Sequence, residues 1–199
     1  MKVKIYVEGG GPGKAAETDC RRGFRCLLER AGFAHPSPAI KACGTRRSAF
    51  DDFATALRLS EPDVYPVLLV DSEAPVRKEP WEHLKDRDGW PRPDAAEDDQ
   101  AQLLVQCMET WIVADQEAVE RFFGQNLHAN ALPPAVDLEN RSKDDVQESL
   151  ERATRNCGRN RNYRKGKRSF DLLAQLDAEV LRKSLPHFRR LCMLLEEKL

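Results

Sequence analysis

The sequence has no long apolar run, and this absence excludes an ordinary transmembrane helix. A helix that crosses a bilayer needs about 20 predominantly apolar residues in a row, and the 199 residues contain no such run. Residues 1–7 form a charged, β-branched segment without the basic and then apolar pattern of a secretory signal. We therefore expect a cytoplasmic protein that has no membrane partner.

Paired cysteines are also missing. The six cysteines are scattered and never form a C-x-x-C pair, which is the spacing of many zinc ligands and redox motifs. Buried, reduced thiols are therefore the favoured interpretation. Internal repeats and low-complexity tracts are absent as well, so the sequence gives no sign of a repeat architecture.

The glycine-rich segment at residues 9–13 fits neither common phosphate-binding motif. The P-loop pattern would put Glu8 where its first glycine belongs and Ala15 where its magnesium-binding hydroxyl belongs. The dinucleotide pattern fails at Lys14. These glycines either give close backbone access beside Glu8 or form a flexible turn.

What the sequence does contain is typical of one globular domain. Hydrophobic residues make up 41% of the chain and charged residues 33%, and the net charge is −1. A chain of this length can bury one substantial core. We expect an α/β core at residues 1–124 and a helical extension at residues 125–199, packed together as a single domain.

Hydrophobic periodicity predicts alternating strands and helices in the first part of the chain. The predicted strands are residues 3–7, 39–43, 64–70 and 102–107. The uninterrupted VLLV at residues 67–70 is typical of a strand covered on both faces. The order of elements predicts an α/β fold with a mostly parallel, four-stranded, Rossmann-like sheet, in which residues 3–7 and 67–70 are adjacent parallel strands.

Carboxylates lie at the ends of two predicted strands. The first strand ends at Glu8, and the third runs into Asp71 and Glu73, which lie on one side of the chain if it is extended there. Ligands of parallel sheets bind at this edge, outside the carboxyl ends of the strands. Clustered carboxylates repel one another unless a cation or proton neutralises them. We therefore expect these residues to hold a divalent cation such as Mg²⁺ or Mn²⁺.

Two observations bear on this metal site. Glu109, which opens a helix after the fourth strand, is a further candidate ligand or supporting residue, although the helix dipole favours an acid there whatever its function. Any one of the strand-end acids could instead be a solvated cap. Diverging side chains, or a basic residue that closes a salt bridge over the carboxylates, would contradict the metal prediction.

A basic segment near the end of the chain complements this acidic edge. Residues 151–168 contain eight basic residues and one acidic residue, whereas residues 71–99 contain ten acidic and five basic ones. Lysine and arginine there could neutralise phosphates and an aromatic ring could stack on a base, although a solvated loop is equally compatible with the pattern. The candidate nucleic-acid-binding residues are Arg46, Arg161, Tyr163, Arg164, Lys165 and Lys167.

Three segments carry a resemblance to a known family. They are YVEG at residues 6–9, LVDSE at residues 69–73 and ETWIVAD at residues 109–115. Together they resemble a bacterial domain-of-unknown-function family, the 4276 family, which is related to the Toprim nuclease domains of OLD-type and topoisomerase-primase proteins. The resemblance covers essentially the whole chain and implies a Toprim-like form of the α/β fold with a helical C-terminal extension.

The resemblance also implies roles for the acidic residues. In Toprim proteins the first-strand glutamate transfers a proton and a D-x-D pair holds the metal, which implies these catalytic roles for Glu8 and for Asp71 with Glu73. The sequence departs from this pattern at two points. It has D-x-E in place of D-x-D, and the acid that usually follows the glutamate is absent, with Glu17 and Asp19 arriving later.

Three functions remain open at this stage. The favoured one is a Mg²⁺- or Mn²⁺-dependent phosphodiesterase that cuts nucleic acid, with a role in bacterial defence. The second is a catalytically inactive Toprim-like subunit that binds a partner protein; the absent acid favours it, and the resemblance implies an ABC-type ATPase as the partner. The third is a small phosphohydrolase that acts on nucleotides.

Overall fold

The centre of the protein is a four-stranded sheet in which every strand pairing is parallel. The structure is a computed structural model and describes residues 1–11, 13–158 and 162–199. The strands are β1 (Lys2–Val7), β2 (Ala39–Ala42), β3 (Val64–Asp71) and β4 (Ala101–Leu104). Their order across the sheet is β2-β1-β3-β4. The adjacent parallel pairing of β1 with β3 is confirmed, with Val3 opposite Tyr65 and Val7 opposite Leu69.

Helices cover this sheet and make up most of the chain after β4, so the predicted α/β fold with a helical C-terminal part is confirmed. The α-helices of the described residues are α1 (Lys14–Arg30), α2 (Arg46–Leu59), α3 (Pro80–Asp88), α4 (Met108–Ala114), α5 (Gln116–Phe123), α6 (Lys143–Thr154), α7 (Lys167–Leu173), α8 (Ala178–Ser184) and α9 (Pro186–Lys198). Short 3₁₀ turns lie at Asp98–Gln100, Ala129–Ala131 and Leu138–Asn140. Among the described residues no helix is both long and apolar enough to span a bilayer.

Side chains point alternately to the two faces of the sheet, and on each face they belong to a separate hydrophobic cluster. Val3 and Ile5 of β1 belong to the larger cluster, together with apolar side chains of α1 and of the helices that follow β4. Tyr6 of β1 and Leu68 of β3 belong to the smaller cluster, with side chains of α2 and α3. A strand buried on both faces needs no polar positions, which explains the VLLV run of β3.

The structure contains helix boundaries that the sequence pattern did not indicate. The polar segment between β3 and β4 contains α3, which begins at Pro80 and ends before Gly89 in a left-handed conformation, and it buries Trp81. The single helix expected after β4 is divided at Asp115, whose side chain accepts a hydrogen bond of 3.0 Å from the Ala118 N–H. Capping by a short polar side chain thus starts a new helix where the apolar periodicity continues.

Candidate metal centre

Three carboxylates converge at the carboxyl edge of the sheet. Glu8 follows the last residue of β1, Asp71 ends β3 and Glu73 lies two residues further. One oxygen of each lies within 4.8 Å of the other two, and no second group of three such ligand side chains occurs in residues 1–11, 13–158 and 162–199. Because β1 and β3 are parallel neighbours, their carboxyl ends meet at one edge and bring these oxygens together.

Glu73 reaches the cluster through a turn and not through an extended segment as predicted. Its φ of 62° is left-handed, which costs a residue with a Cβ on the order of 1 kcal/mol. Two backbone hydrogen bonds hold the turn: the Ser72 N–H donates to the Leu104 carbonyl at 2.9 Å, and the Glu73 N–H donates to the Gln106 carbonyl at 2.8 Å. The segment after β4 therefore determines where the Glu73 carboxylate lies.

Asp71 is the most enclosed of the three acids. Its Oδ1 accepts a hydrogen bond of 3.0 Å from the Met108 N–H at the start of α4, where the first turn of a helix leaves N–H groups without partners. Burial and the charges of Glu8 and Glu109 raise the pKa of Asp71 well above its ordinary value, against the opposing charge of Lys143. Bringing these acids together therefore has an electrostatic cost that a bound cation would reduce.

Glu8 lies between Asp71 and a basic side chain. Its Oε2 accepts the Asp71 N–H at 3.3 Å and lies 3.4 Å from Arg46 Nε. Burial raises the pKa of Glu8, and the positive charge of Arg46 opposes this increase without cancelling it. A carboxyl group of this kind can take up a proton at a higher pH than an exposed glutamate.

Arg46 is committed to several partners, which corrects its predicted role as a phosphate-binding residue. Its guanidinium forms two hydrogen bonds to Asp88, at 2.5 and 3.1 Å, and its Nε donates to the Asp71 carbonyl at 3.0 Å. Only 13% of the side chain is exposed. Since a buried guanidinium with a bidentate carboxylate partner has few donors left, Arg46 orders the edge of the site in this structure.

Lys143 enters the cluster from the helical part of the chain. Its ammonium forms a short hydrogen bond to Glu73 Oε1 and lies 4.0 Å from Asp71 Oδ2. A salt bridge of this kind was the stated contradiction to a metal site, and it is present at Glu73. Asp71 and Glu8 also have basic neighbours, Lys143 at 4.0 Å and Arg46 at 3.4 Å, but burial still raises the pKa values of both acids.

Glu109 and Tyr163 contact each other, which is compatible with a supporting role for Glu109 but not with base stacking by Tyr163. The Tyr163 hydroxyl donates to Glu109 Oε1 at 2.8 Å, and Gln147 Nε2 lies 3.4 Å from Oε2 of the same carboxylate. Glu109 lies outside the group of three converging acids, so its oxygens are taken by α6 and by the basic segment. Tyr163 is only 3% exposed, and a ring that is buried in this way cannot stack on a base.

The remaining predicted nucleic-acid contacts differ in their accessibility. Arg161 lies outside the described residues. Arg164 is exposed, and the Lys165 side chain is 56% exposed with its ammonium 3.7 Å from Glu109 Oε1. Lys167 is 68% exposed and pairs with Asp171 at 2.8 Å. Arg164, Lys165 and Lys167 thus form an accessible basic surface.

A cleft of about 350 Å³ joins this basic surface to the acidic cluster. The residues that line it are Glu8, Gly9, Gly10, Gly11, Ala16, Gly44, Asp71, Met108, Glu109, Lys165, Gly166, Ser169 and Phe170. The glycine loop forms one wall and is fixed to the chain after β2 by two backbone hydrogen bonds between Gly9 and Gly44, at 2.9 and 2.8 Å. Of the two interpretations of this loop, close backbone access beside Glu8 agrees with the structure at Gly9, Gly10 and Gly11, which line the cleft.

Three charged residues of the site were missed by reasoning from the sequence, and one of them is Arg87, whose guanidinium lies 3.8 Å from Glu73 Oε2. Asp88 is at the end of α3, in the polar segment between β3 and β4, and it holds Arg46. Lys143 follows the N-cap Ser142, where the helix dipole disfavours a cation. This unfavourable position was the available signal that the charge of Lys143 serves a partner elsewhere in the fold.

The later acids on α1 do not supply the one that is absent after Glu8. Glu17 lies 3.6 Å from Arg21, and Asp19 lies 3.6 Å from Arg22. Both ion pairs are on the outer side of α1, with side chains 21–43% exposed. The carboxylate set therefore consists of the strand-end acids alone.

The chain matches one protein family in sequence and is similar to two solved structures. The sequence model of the family described as "Domain of unknown function (DUF4276)" matches residues 7–196. Two solved structures of the C-terminal region of the OLD protein from Xanthomonas campestris pv. campestris are similar to the chain at 18% identity. The structure phased with iodine has a TM-score of 0.41, and the match covers 98% of this chain and 97% of the OLD chain. The structure phased with platinum has a TM-score of 0.44, and the match covers 98% of this chain and 96% of the OLD chain. No curated protein gave a significant match.

Proposed function

The chain belongs to the DUF4276 family, as the three segments of its sequence predicted, and we propose that it is a divalent-metal-dependent phosphodiesterase that cleaves nucleic acid. The observation that carries this proposal is the convergence of the Glu8, Asp71 and Glu73 oxygens within 4.8 Å of one another, beside a cleft that Glu8 and Asp71 line. Lys165, which lines the same cleft, and the exposed Arg164 next to it in the chain support a polyanionic substrate.

The donor set fits a magnesium or manganese ion. All three groups offer hard carboxylate oxygens, which are the ligands these ions prefer. Burial and the charges of neighbouring acids raise the pKa values of Glu8 and Asp71, and a bound cation would favour their charged forms. A divalent ion bound there would polarise a phosphate group and stabilise the charge that develops during its cleavage.

The residues of the chain have separable roles in this proposal. Glu8, which lies at the end of β1 beside the metal-holding acids, accepts a proton from the attacking water. Asp71 and Glu73 hold the cation. Lys165, which lines the cleft, and Arg164 contact the phosphates of the polymer on either side of the scissile bond.

A thermal melting experiment tests the cation site. The wild-type protein is titrated with Mg²⁺ and Mn²⁺ after treatment with a chelator; a ligand at 100 times its dissociation constant stabilises a fold by about 2.7 kcal/mol. We expect a rise in melting temperature that Asp71→Asn and Glu8→Gln reduce. Asp19→Asn is the matched control, because Asp19 pairs with Arg22 on α1 away from the cluster.

A cleavage assay tests the reaction. Single-stranded DNA, double-stranded DNA and RNA are incubated with the protein in Mg²⁺ and in Mn²⁺, and Glu8→Gln is expected to abolish the products. Cleavage of nucleotides without cleavage of any polymer would instead support a nucleotide phosphohydrolase. An absence of both metal stabilisation and cleavage would contradict the proposal.

A second candidate function, an inactive subunit that binds a partner ATPase, is favoured by one feature of the site. Lys143 already pairs with Glu73, and Arg46 already contacts Glu8, so part of the acidic charge is neutralised within the chain. This candidate is supported if the wild-type protein neither melts at a higher temperature with Mn²⁺ nor binds nucleic acid at low salt, and yet forms a stable complex with an ABC-type ATPase.

A further inference from the structure

Lys143 occupies a position that its own helix does not favour. It is the first residue of α6, whose start is fixed by Ser142, because the Ser142 hydroxyl accepts a hydrogen bond of 3.1 Å from the Asp145 N–H. The N-terminus of a helix carries partial positive charge, so a lysine there is electrostatically unfavourable. The stabilising contact of the Lys143 ammonium must therefore come from outside α6.

That contact is with the acidic cluster. The ammonium makes a short hydrogen bond to Glu73 Oε1 and lies 4.0 Å from Asp71 Oδ2, and the side chain is 22% exposed. These two contacts place the charge of the lysine beside two of the three acids. Lys143 thus supplies one positive charge to acids that would otherwise repel one another.

The place of this ammonium is also the place of a shared metal ion. A cation bound directly by Asp71 and Glu73 lies about 2.0–2.6 Å from each ligand oxygen. Lys143 already engages Glu73 Oε1, and Arg87 lies 3.8 Å from Glu73 Oε2. A divalent ion and an ammonium group within about 4 Å of each other repel strongly in a partly buried site. Both cations cannot occupy the cluster in this arrangement.

We propose that Lys143 is an internal counter-ion that a divalent cation must displace, so that the helical part of the chain controls occupancy of the metal site. This inference rests on the proposed function, because it assumes that the acidic cluster binds a metal. It adds that binding is an exchange, in which the metal takes the Glu73 oxygen and the Lys143 ammonium moves away from it. Because the metal must compete with the Lys143 ammonium for the Glu73 carboxylate, the affinity of the site for the metal is lower than it would be without the lysine.

Metal affinity in matched variants tests the exchange. The dissociation constant for Mn²⁺ is measured by electron paramagnetic resonance for the wild-type protein, Lys143→Met, Lys143→Arg and the control Lys183→Met, whose lysine is exposed on α8. We expect Lys143→Met to bind Mn²⁺ about 10-fold more tightly than wild type or more, because the competing charge is gone. Lys143→Arg and Lys183→Met should retain affinities near that of wild type.

A second measurement uses the unmodified protein and does not depend on the folding of any variant. Acetylation of each lysine by a small acylating reagent is followed by mass spectrometry without metal and at saturating Mn²⁺. We expect the acetylation rate of Lys143 to rise several-fold with Mn²⁺, because an ammonium held by Glu73 is a poor nucleophile until it is released. The rate at Lys183 should not change.

The outcomes separate this inference from the proposed function. If the wild-type protein binds Mn²⁺ but Lys143→Met binds it no more tightly and the acetylation rate is unchanged, the exchange is wrong while the metal site stands. If Mn²⁺ binds neither the wild-type protein nor Lys143→Met, both the metal site and the exchange are overturned.

Discussion

The Tyr163 hydroxyl donates a hydrogen bond of 2.8 Å to Glu109, and this contact ties the basic segment to the start of α4. Both partners are buried, with 3% and 1% of their surfaces exposed. Burial and the charge of Glu109 raise the pKa of Tyr163, so the tyrosine remains a hydrogen-bond donor across the physiological range.

Loss of this hydroxyl should destabilise the protein. We expect Tyr163→Phe to lower the free energy of unfolding by about 1–3 kcal/mol, because it leaves part of a buried carboxylate unpaired. Urea unfolding of Tyr163→Phe, of Glu109→Gln and of the double variant measures this, and the coupling energy should be positive. Strictly additive effects would show that the contact contributes nothing to stability.

The raised pKa values at the acidic cluster predict how stability depends on pH in the absence of metal. A carboxyl group whose pKa is raised on folding stabilises the fold below its ordinary pKa, and this stability is lost as the pH rises through the folded value. The ordinary values are 3.8 for Asp71 and 4.5 for Glu8. We therefore expect Asp71→Asn, in chelator at pH 7, to be more stable than wild type, by about 1.4 kcal/mol for each unit by which the pKa is raised.

The gain from Asp71→Asn should shrink towards pH 4, where the wild-type carboxyl is protonated. Asp171→Asn is a control of opposite sign. Although burial opposes the effect, hydrogen bonds from Lys167 and Arg22 lower the pKa of Asp171, so its loss should destabilise the protein at neutral pH. That effect should be less than about 1 kcal/mol, because the pairs are solvent-exposed. Equal and same-signed changes in the two variants would contradict the assignment.

The basic surface should bind nucleic acid in a salt-dependent way, because each phosphate contact releases condensed counterions. We expect Lys165→Ala with Lys167→Ala to weaken binding and to reduce the salt slope by about one unit for each lost contact. Glu8→Gln should leave binding nearly intact, because Glu8 lies at the metal end of the cleft. Fluorescence anisotropy at several salt concentrations measures both. Lack of any binding by the wild-type protein at low salt would rule out a nuclease.

The glycine loop beside Glu8 should tolerate a side chain poorly at one position. Gly10 has a φ of 93°, and a Cβ there would lie 3.0 Å from the Glu17 Cα and 3.1 Å from the Ala42 Cβ. Gly13 has a φ of 111° with open space around its Cα. We expect Gly10→Ala to lower the free energy of unfolding by about 1–3 kcal/mol more than Gly13→Ala, because only the former adds a steric clash to backbone strain. Similar losses in the two variants would show that backbone conformation alone requires glycine.

The sequence by itself determined the sheet and the acids at its edge. Alternation in residues 2–7 and the VLLV run of β3 specify strands by their local hydrophobic pattern. Parallel pairing of these strands then requires that Glu8 and Asp71 lie at one edge. Both steps depend on short-range patterns and general rules of strand connection, which is why they can be read from one chain.

Only the tertiary structure decided which cations and donors meet those acids. Lys143, Arg46 and Tyr163 reach the site from a distant helix, the start of α2 and the basic segment, and each had a different expected role or none. The partner of a long polar side chain depends on how separate elements pack and on which groups that packing removes from water. This packing involves contacts between residues 25 to 70 positions apart in the chain, and no local pattern specifies them.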